Sequence, residues 1–275
     1  MSEAAVRNMR FAVLGAGKMA GILLQAFLEQ GLLTTDQISA TVQHPERARA
    51  LTAEWGFEVT TDNLEAARNA DVILLGVKPV QVPVILREIA PVLTSAKMLI
   101  SVAASVTVRN LEDAAGCELG VVRAMPNTPT QVAAGVTALC AGRFLSKEQM
   151  DLAQHLFATV GRSVIVEEKH MDGVTALSGA GPAFLYIVIE ALAEGGVHVG
   201  LPRDLAMLLA AQTALGSAKM VLERGIHPAA LKDAVTTPAG CTVEGVMALE
   251  EGRLRATLID AVRRTARRSR ELTPS

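Results

Sequence analysis

The sequence predicts an α/β protein with a doubly wound, mostly parallel sheet over residues 1–167 and an all-helical region over residues 168–275. Three observations predict it. Short apolar runs alternate with helical patterns through the first part of the chain, the signature of βαβ units. A glycine turn joins the first run to the first helical pattern. Beyond Glu167-Glu168 the alternation stops, and apolar spacing of the helical kind continues alone.

Taken in order, Arg10 to Leu14 reads as a strand, and Ile22, Leu23, Ala26 and Phe27 recur at helical spacing until Gly31. Between them, Gly15-Ala16-Gly17-Lys18-Met19-Ala20 matches G-x-G-x-x-A, the dinucleotide fingerprint of a Rossmann-like unit. Gly15 allows the tight turn, Gly17 lets the backbone approach a pyrophosphate, and Ala20 lets the helix pack close. Leu14, Gly15, Ala16, Gly17, Lys18 and Met19 are therefore candidate cofactor-binding residues. Strands follow at Ile38 to Gln43, Phe57 to Thr60, Asp71 to Val77, Met98 to Ala103 and Leu119 to Ala124. Helices lie between them at Pro45 to Glu54, Asn63 to Asn69, Val80 to Ile89 and Val106 to Ala114, the first opened by proline. Val132 to Cys140, Gln149 to Val160 and Ser163 to Val166 continue the alternation.

Ligands of such sheets lie beyond the carboxyl ends of the strands. Three segments occupy those ends: Gly76-Val77-Lys78-Pro79, Val102-Ala103-Ala104, and Met125-Pro126-Asn127-Thr128-Pro129. Their small residues leave room for a flat ring, and their prolines stiffen the turns. On the residues alone, Lys78 reads rather as a solvated strand end and the last segment as an ordinary turn. The second strand ends in Gln43-His44-Pro45, with no acid before Glu46. An Asp or Glu there would hold both ribose hydroxyls of NAD. Gln43, His44 and Arg47 suit a 2′-phosphate instead, so NADPH is the expected cofactor, with NADH as the alternative.

In the helical region, Arg203 to Glu223 is apolar around nearly its whole circumference and calls for burial on several sides. About 100 residues of helix cannot cover it well, and a second copy of the chain would. Pro228 to Glu250 shows helical spacing at both ends around Thr236-Thr237-Pro238-Ala239-Gly240-Cys241-Thr242. A helix starting near Thr242 would leave the amides of Gly240, Cys241 and Thr242 as unpaired donors for a carboxylate or phosphate oxygen. The hydroxyls of Thr237 and Thr242 would sit beside them. The same residues also describe a plain corner between helices with Thr242 as its N-cap.

This last segment, together with GAGKMA, VKP, MPNTP and SGAGPA, resembles the pyrroline-5-carboxylate reductases, and the resemblance covers nearly the whole chain. It implies reduction of 1-pyrroline-5-carboxylate to L-proline by hydride transfer from NAD(P)H, the last step of proline biosynthesis, in a homo-oligomer, either a dimer built through the helical region or an assembly of such dimers. It implies that the loop holds the substrate carboxylate through Thr237, Gly240, Cys241 and Thr242, and that Thr242 reaches the ring nitrogen. VKP and MPNTP would line the nicotinamide side. Asn63 matches an asparagine that contacts the cofactor, and Glu168 a glutamate that reaches it. Without the resemblance, Glu168 is a solvated carboxylate after a strand. The chain departs from the family at Ala180, where a serine is usual, and at Gln43-His44, where Asn-Arg or Ser-Ser is common.

Composition narrows the alternatives. Half the residues are hydrophobic but only 3% aromatic, so the core is aliphatic and stacking platforms for nucleic acid are few. A net charge of −2 gives no electrostatic case for a polyanionic partner. Three cysteines without CxxC spacing, Cys117, Cys140 and Cys241, point to a reducing compartment. No secretory h-region is seen and uninterrupted aliphatic runs are short, so a cytoplasmic protein without a membrane span is expected. The five histidines lack metal-ligand spacing. Arginines crowd Leu254 to Leu272, in the manner of a solvated helix face. Two rivals remain: a β-hydroxyacid dehydrogenase, for which Lys219 is the one lysine on a long helix of the second half, and a cofactor-binding protein without turnover.

Overall fold

The computed structural model of this chain describes Val6 and residues 8–272. Among them, β1 (Phe11–Leu14), β2 (Ile38–Thr41), β3 (Val59–Thr60), β4 (Val72–Leu75), β5 (Met98–Ser101), β6 (Gly120–Met125), β7 (Gly135–Ala141) and β8 (Gly161–Ile165) form one sheet in the order β3-β2-β1-β4-β5-β6-β7-β8. From β3 across to β6 all pairs are parallel, which is the doubly wound order with its reversal point between β1 and β4. β7 runs antiparallel to β6, and β8 parallel to β7. The reversal follows from the link: Thr128–Val132 is a 3₁₀ turn too short to cross over the sheet, and Ala133 leaves it at φ 52°.

Helices α1 (Lys18–Glu29), α2 (Pro45–Trp55), α3 (Asn63–Arg68), α4 (Val82–Ile89), α5 (Val108–Ala115) and α6 (Lys147–Ala158) cover the faces. β1, β4 and β5 are buried at every position, as strands covered on both sides must be. Alternate residues serve opposite faces. Val13, Leu74 and Ile100 pack with Leu24, Phe27, Leu156 and Phe157, whereas Leu14, Ile73 and Leu99 pack with Leu86, Ile89 and Leu111. Asp62, Thr107 and Ser146 cap α3, α5 and α6 through side-chain oxygens, Ser146 within a capping box with Gln149. At the other end of α3, Lys97 Nζ donates to the carbonyls of Ala67, Arg68 and Ala70.

Two compact units result. One runs to Ala180 and includes the chain from Thr265 on; the other is Gly181–Arg264. The sheet alternation ends near the expected 167/168 boundary, but the next residues pack with the sheet. Met171 is buried against Val108, Ala138 and Cys140. A π-helical turn, Thr175–Gly179, ends this unit's first stretch of chain. Its last stretch is tied down by Ser269, whose hydroxyl donates to Asp172 at 2.7 Å and whose carbonyl accepts from Ser105.

The second unit contains α7 (Gly181–His198), α8 (Arg203–Arg224), α9 (Pro228–Ala234), α10 (Cys241–Glu251) and the start of α11 (Leu254–Leu272). α7 and α8 meet through Ala193, Ala206 and Ala210. Their larger side chains point outward: Leu185, Ile187, Leu208 and Leu215 are 60%, 66%, 64% and 52% exposed. The helical stretches 168–198 and 203–224 each contain a window of 18 residues, with mean hydropathy 1.6 and 1.5, apolar enough to cross a membrane by length and composition alone. Alanines and scattered aliphatics carry the mean without forming one long aliphatic run. On α11, Arg264 pairs with Asp260 and Arg268 with Glu271 within one helical turn, as on a solvated face.

Candidate active site

The parallel register sets Leu14 beside Thr41. Just beyond, Gly15 turns the chain at φ 77°, and a Cβ there would come within 2.4 Å of Val77 Cγ1. A Cβ on Gly76 would come within 2.3 Å of Ala20 Cβ, so the tight helix–strand contact is made by Ala20 and Gly76 together. Three amides of the turn are used inside the protein. Gly15 N donates to Thr41 Oγ1 at 3.3 Å, Ala16 N to the Thr41 carbonyl at 2.7 Å, and Gly17 N to the Gly15 carbonyl at 2.7 Å. Gly17 is the N-cap of α1 and has no side chain to close it. Lys18 and Met19 thus supply the first free donors of a 12-residue helix. Backbone amides at an uncapped helix start fit a dinucleotide pyrophosphate.

The remaining cofactor candidates fall into two groups. Gln43, His44 and Arg47 are exposed at the start of α2, where His44 makes no side-chain cap. Gln81 Nε2 donates to Gln43 Oε1 at 3.1 Å, a link invisible in the sequence. The backbone bonds of Gly76 N to Leu14 O and Val102 N to Leu75 O bring the ends of β1, β4 and β5 level. Val102 and Ala103 are buried, Val77, Pro79 and Ala104 half-buried, and Lys78 exposed.

Three candidates have side chains already committed. Asn63 accepts from Thr41 Oγ1 at 2.7 Å and donates to Glu88 at 3.0 Å. Asn127 is buried, accepting from Val136 N at 2.9 Å and donating to the Ser178 carbonyl at 3.1 Å. It clamps the 3₁₀ turn to β7 and to the π-helical turn. Glu168 Oε1 accepts from Val108 N at 2.6 Å and from the buried Arg123 at 3.0 Å, holding the start of α5. Thr41, Gln81 and Arg123 escaped the sequence reading. Thr41 alone left a signal, a polar residue closing an apolar strand.

In the second unit the loop differs from expectation in two respects. α10 starts at Cys241, and its N-cap is Gly240, without a side-chain cap. The reading of Thr242 as N-cap therefore falls: Thr242 is the second residue of the helix. Gly240 N is also withdrawn from the donor set, because it donates to the Thr237 carbonyl at 3.0 Å. Cys241 and Thr242 keep their amides at the helix start. Ala239 reaches the turn at φ 56°, a strained conformation for a residue with a side chain. Thr236 is anchored through Oγ1 to the Lys232 carbonyl at 2.7 Å.

Other chemistry is sparse. Lys219 lies in a surface ion pair with Glu223 at 3.7 Å, 61% exposed. Burial, and secondarily the Glu168 carboxylate, pushes the Cys140 thiol up to about 11, with Arg123 opposing. All three cysteines are free. Among the described residues, no group of three or more His, Cys, Asp or Glu is placed to hold a metal ion.

The sheet order and glycine turn define the class, a Rossmann-type dinucleotide-binding protein. Residues 10–105 match the family described as NADP oxidoreductase, coenzyme F420-dependent, and residues 168–272 that described as pyrroline-5-carboxylate reductase dimerisation. The chain belongs to the pyrroline-5-carboxylate reductase family. It is 42% identical to the pyrroline-5-carboxylate reductase of Methanosarcina acetivorans over 97% of this chain and 99% of that one. A pyrroline-5-carboxylate reductase structure from Coxiella burnetii superposes with TM-score 0.87 at 34% identity, covering 98% of this chain and 100% of that one. The Plasmodium falciparum pyrroline carboxylate reductase, solved with NADP bound, superposes with TM-score 0.89 at 29% identity over 98% and 99%.

Proposed function

We propose that this protein reduces 1-pyrroline-5-carboxylate to L-proline, with NADPH as the preferred hydride donor, as the last step of proline biosynthesis. The observation that carries this is the 42% identity to the Methanosarcina enzyme across 97% of the chain, a span that takes in both the glycine turn and the TTPAGCT loop. Lys18 and Met19 hold the pyrophosphate through their amides, and Gln43, His44 and Arg47 face the 2′-phosphate. The strand-end segments, Gly76 to Pro79 and Val102 to Ala104, border the nicotinamide, and Asn127 holds the MPNTP turn in shape. Bound NADPH supplies the hydride taken up by the carbon of the C=N bond. In the loop, the amides of Cys241 and Thr242 receive the substrate carboxylate, with the positive end of α10 behind them and the Thr237 hydroxyl beside them. The Thr242 hydroxyl accepts from the protonated ring nitrogen. That nitrogen keeps its proton in the product, so the loop moves none. Its contribution is orientation.

The protein works as a homodimer whose α7 and α8 cover one another's apolar faces. We place it in the cytoplasm, in keeping with its free cysteines. The test follows absorbance after mixing protein and NADPH with 1-pyrroline-5-carboxylate, beside 3-hydroxy acids with NAD(P)⁺. Loss of NADPH in the first mixture is expected. Turnover confined to a 3-hydroxy acid, or NADPH binding with turnover in neither, overturns the reading.

A further inference from the structure

Thr41 is fully buried, and both of its oxygens serve the glycine turn. Its carbonyl accepts from Ala16 N at 2.7 Å, and its hydroxyl from Gly15 N at 3.3 Å. A hydroxyl has one proton to give, and here it goes to Asn63 Oδ1 at 2.7 Å. Asn63 is in turn held by Glu88 at 3.0 Å. The chain of bonds therefore runs from an exposed carboxylate on α4, through α3 and β2, to the first amide of the turn. It fixes the direction of the Thr41 hydroxyl proton, which leaves a lone pair facing Gly15 N.

We propose that Thr41 is the positioning residue of the dinucleotide turn, holding Gly15 and Ala16 so that the amides of Lys18 and Met19 face the pyrophosphate. With Gly15, Ala16 and Gly17 all bonded inward, the direction of the next two amides depends on how firmly the preceding residues are held. Asn63, matched on resemblance to a cofactor ligand, acts here by orienting Thr41. The inference rests on the reading of this turn as the NADPH site.

Thr41→Val keeps the shape and removes the hydroxyl; Thr41→Ser restores it. In the Val variant, Kd and KM for NADPH rise roughly five- to tenfold, while kcat at saturating NADPH and KM for the imino acid stay within about twofold. Thr41→Ser returns the NADPH constants to within about twofold of the unchanged protein. A folded Val variant that binds NADPH as the unchanged protein does overturns the proposal, as does a Ser variant that fails to rescue. Hydrogen exchange on the unchanged protein without cofactor decides the matter if the Val variant does not fold. Gly15 and Ala16 amides should be protected and those of Lys18 and Met19 fast, the latter slowing when NADPH is added. A Gly15 amide exchanging as fast as Lys18 overturns the proposal. Failure of the unchanged protein to bind NADPH overturns the proposed function instead, and cofactor-free exchange still shows whether Thr41 holds the turn.

Discussion

Thr242 stands one residue inside α10, and that position changes what its removal costs. The cap is Gly240, so Thr242→Ala breaks no capping bond and trades threonine for a better helix former. The melting temperature should hold or rise slightly. Loss of a hydrogen bond to a charged partner, worth roughly 1.5–3 kcal/mol, lowers kcat/KM about tenfold to a hundredfold. Steady-state kinetics beside a thermal melt check both halves, and unchanged kinetics would remove Thr242 from the site. At the proposed adenosine end, Gln43 is tied to Gln81 and no acid stands at the end of β2. Gln43→Asp should shift preference from NADPH toward NADH, because a carboxylate repels the 2′-phosphate and accepts from free ribose hydroxyls. Competition kinetics with both cofactors measure it, and an unchanged protein that already prefers NADH would contradict the assignment. Cysteine reactivity separates by burial. With its thiol near 11, Cys140 is almost wholly protonated at pH 8, and only thiolate attacks. Brief alkylation at pH 8 followed by peptide mapping should label exposed Cys241 and leave Cys140 intact. Cys140 labelling should rise only as the pH approaches 11.

At the scale of elements, helix α3 is short and depends on its two ends. Asp62 closes the first, and Lys97 carries the second by bridging three carbonyls at the negative pole of the helix. Burial lowers the Lys97 pKa from its ordinary value, with Asp71 opposing that shift, yet the ammonium remains the donor these carbonyls use. Lys97→Met keeps most of the apolar stem and strips the donors. It should cost about 1.5–3 kcal/mol of unfolding free energy, read from urea titration, with kinetic constants little changed. A loss below about 0.5 kcal/mol would mean that water replaces the ammonium without penalty. The same scale explains what patterning reads well. β1, β4 and β5 announce themselves as uninterrupted apolar runs because helices cover both of their faces. The antiparallel turn into β7 is not announced, since direction depends on whether a link can cross the sheet, and Thr128–Val132 looked like any turn.

For the whole molecule, the exposed faces of α7 and α8 are the decisive feature. Side chains such as Ile187 and Leu208, 66% and 64% exposed, leave apolar surface that a single chain does not cover. The interface of the proposed dimer should be large and hydrophobic, above roughly 2,000 Å², as in obligate dimers. Light scattering at micromolar concentration should report a dimer. Ile187→Glu combined with Leu208→Glu should dissociate or precipitate it, since each charge would be buried without a partner. A stable, active monomer of the unchanged protein would rule this assembly out.

By itself the sequence determined the order of strands and helices, the glycine turn and the TTPAGCT loop, because hydrophobic period and turn chemistry act over a few neighbouring residues. Which donors remain free was decided only in the folded structure. Gly15 N and Ala16 N are taken by Thr41 across the β1–β2 register, and Gly240 N by a carbonyl its own loop folds back. It likewise turned Asn127 and Glu168 into clamps, through partners as distant in sequence as Ser178 and Val108. A hydrogen-bonding group serves a ligand only when the fold has not already used it, and that depends on partners brought close by folding.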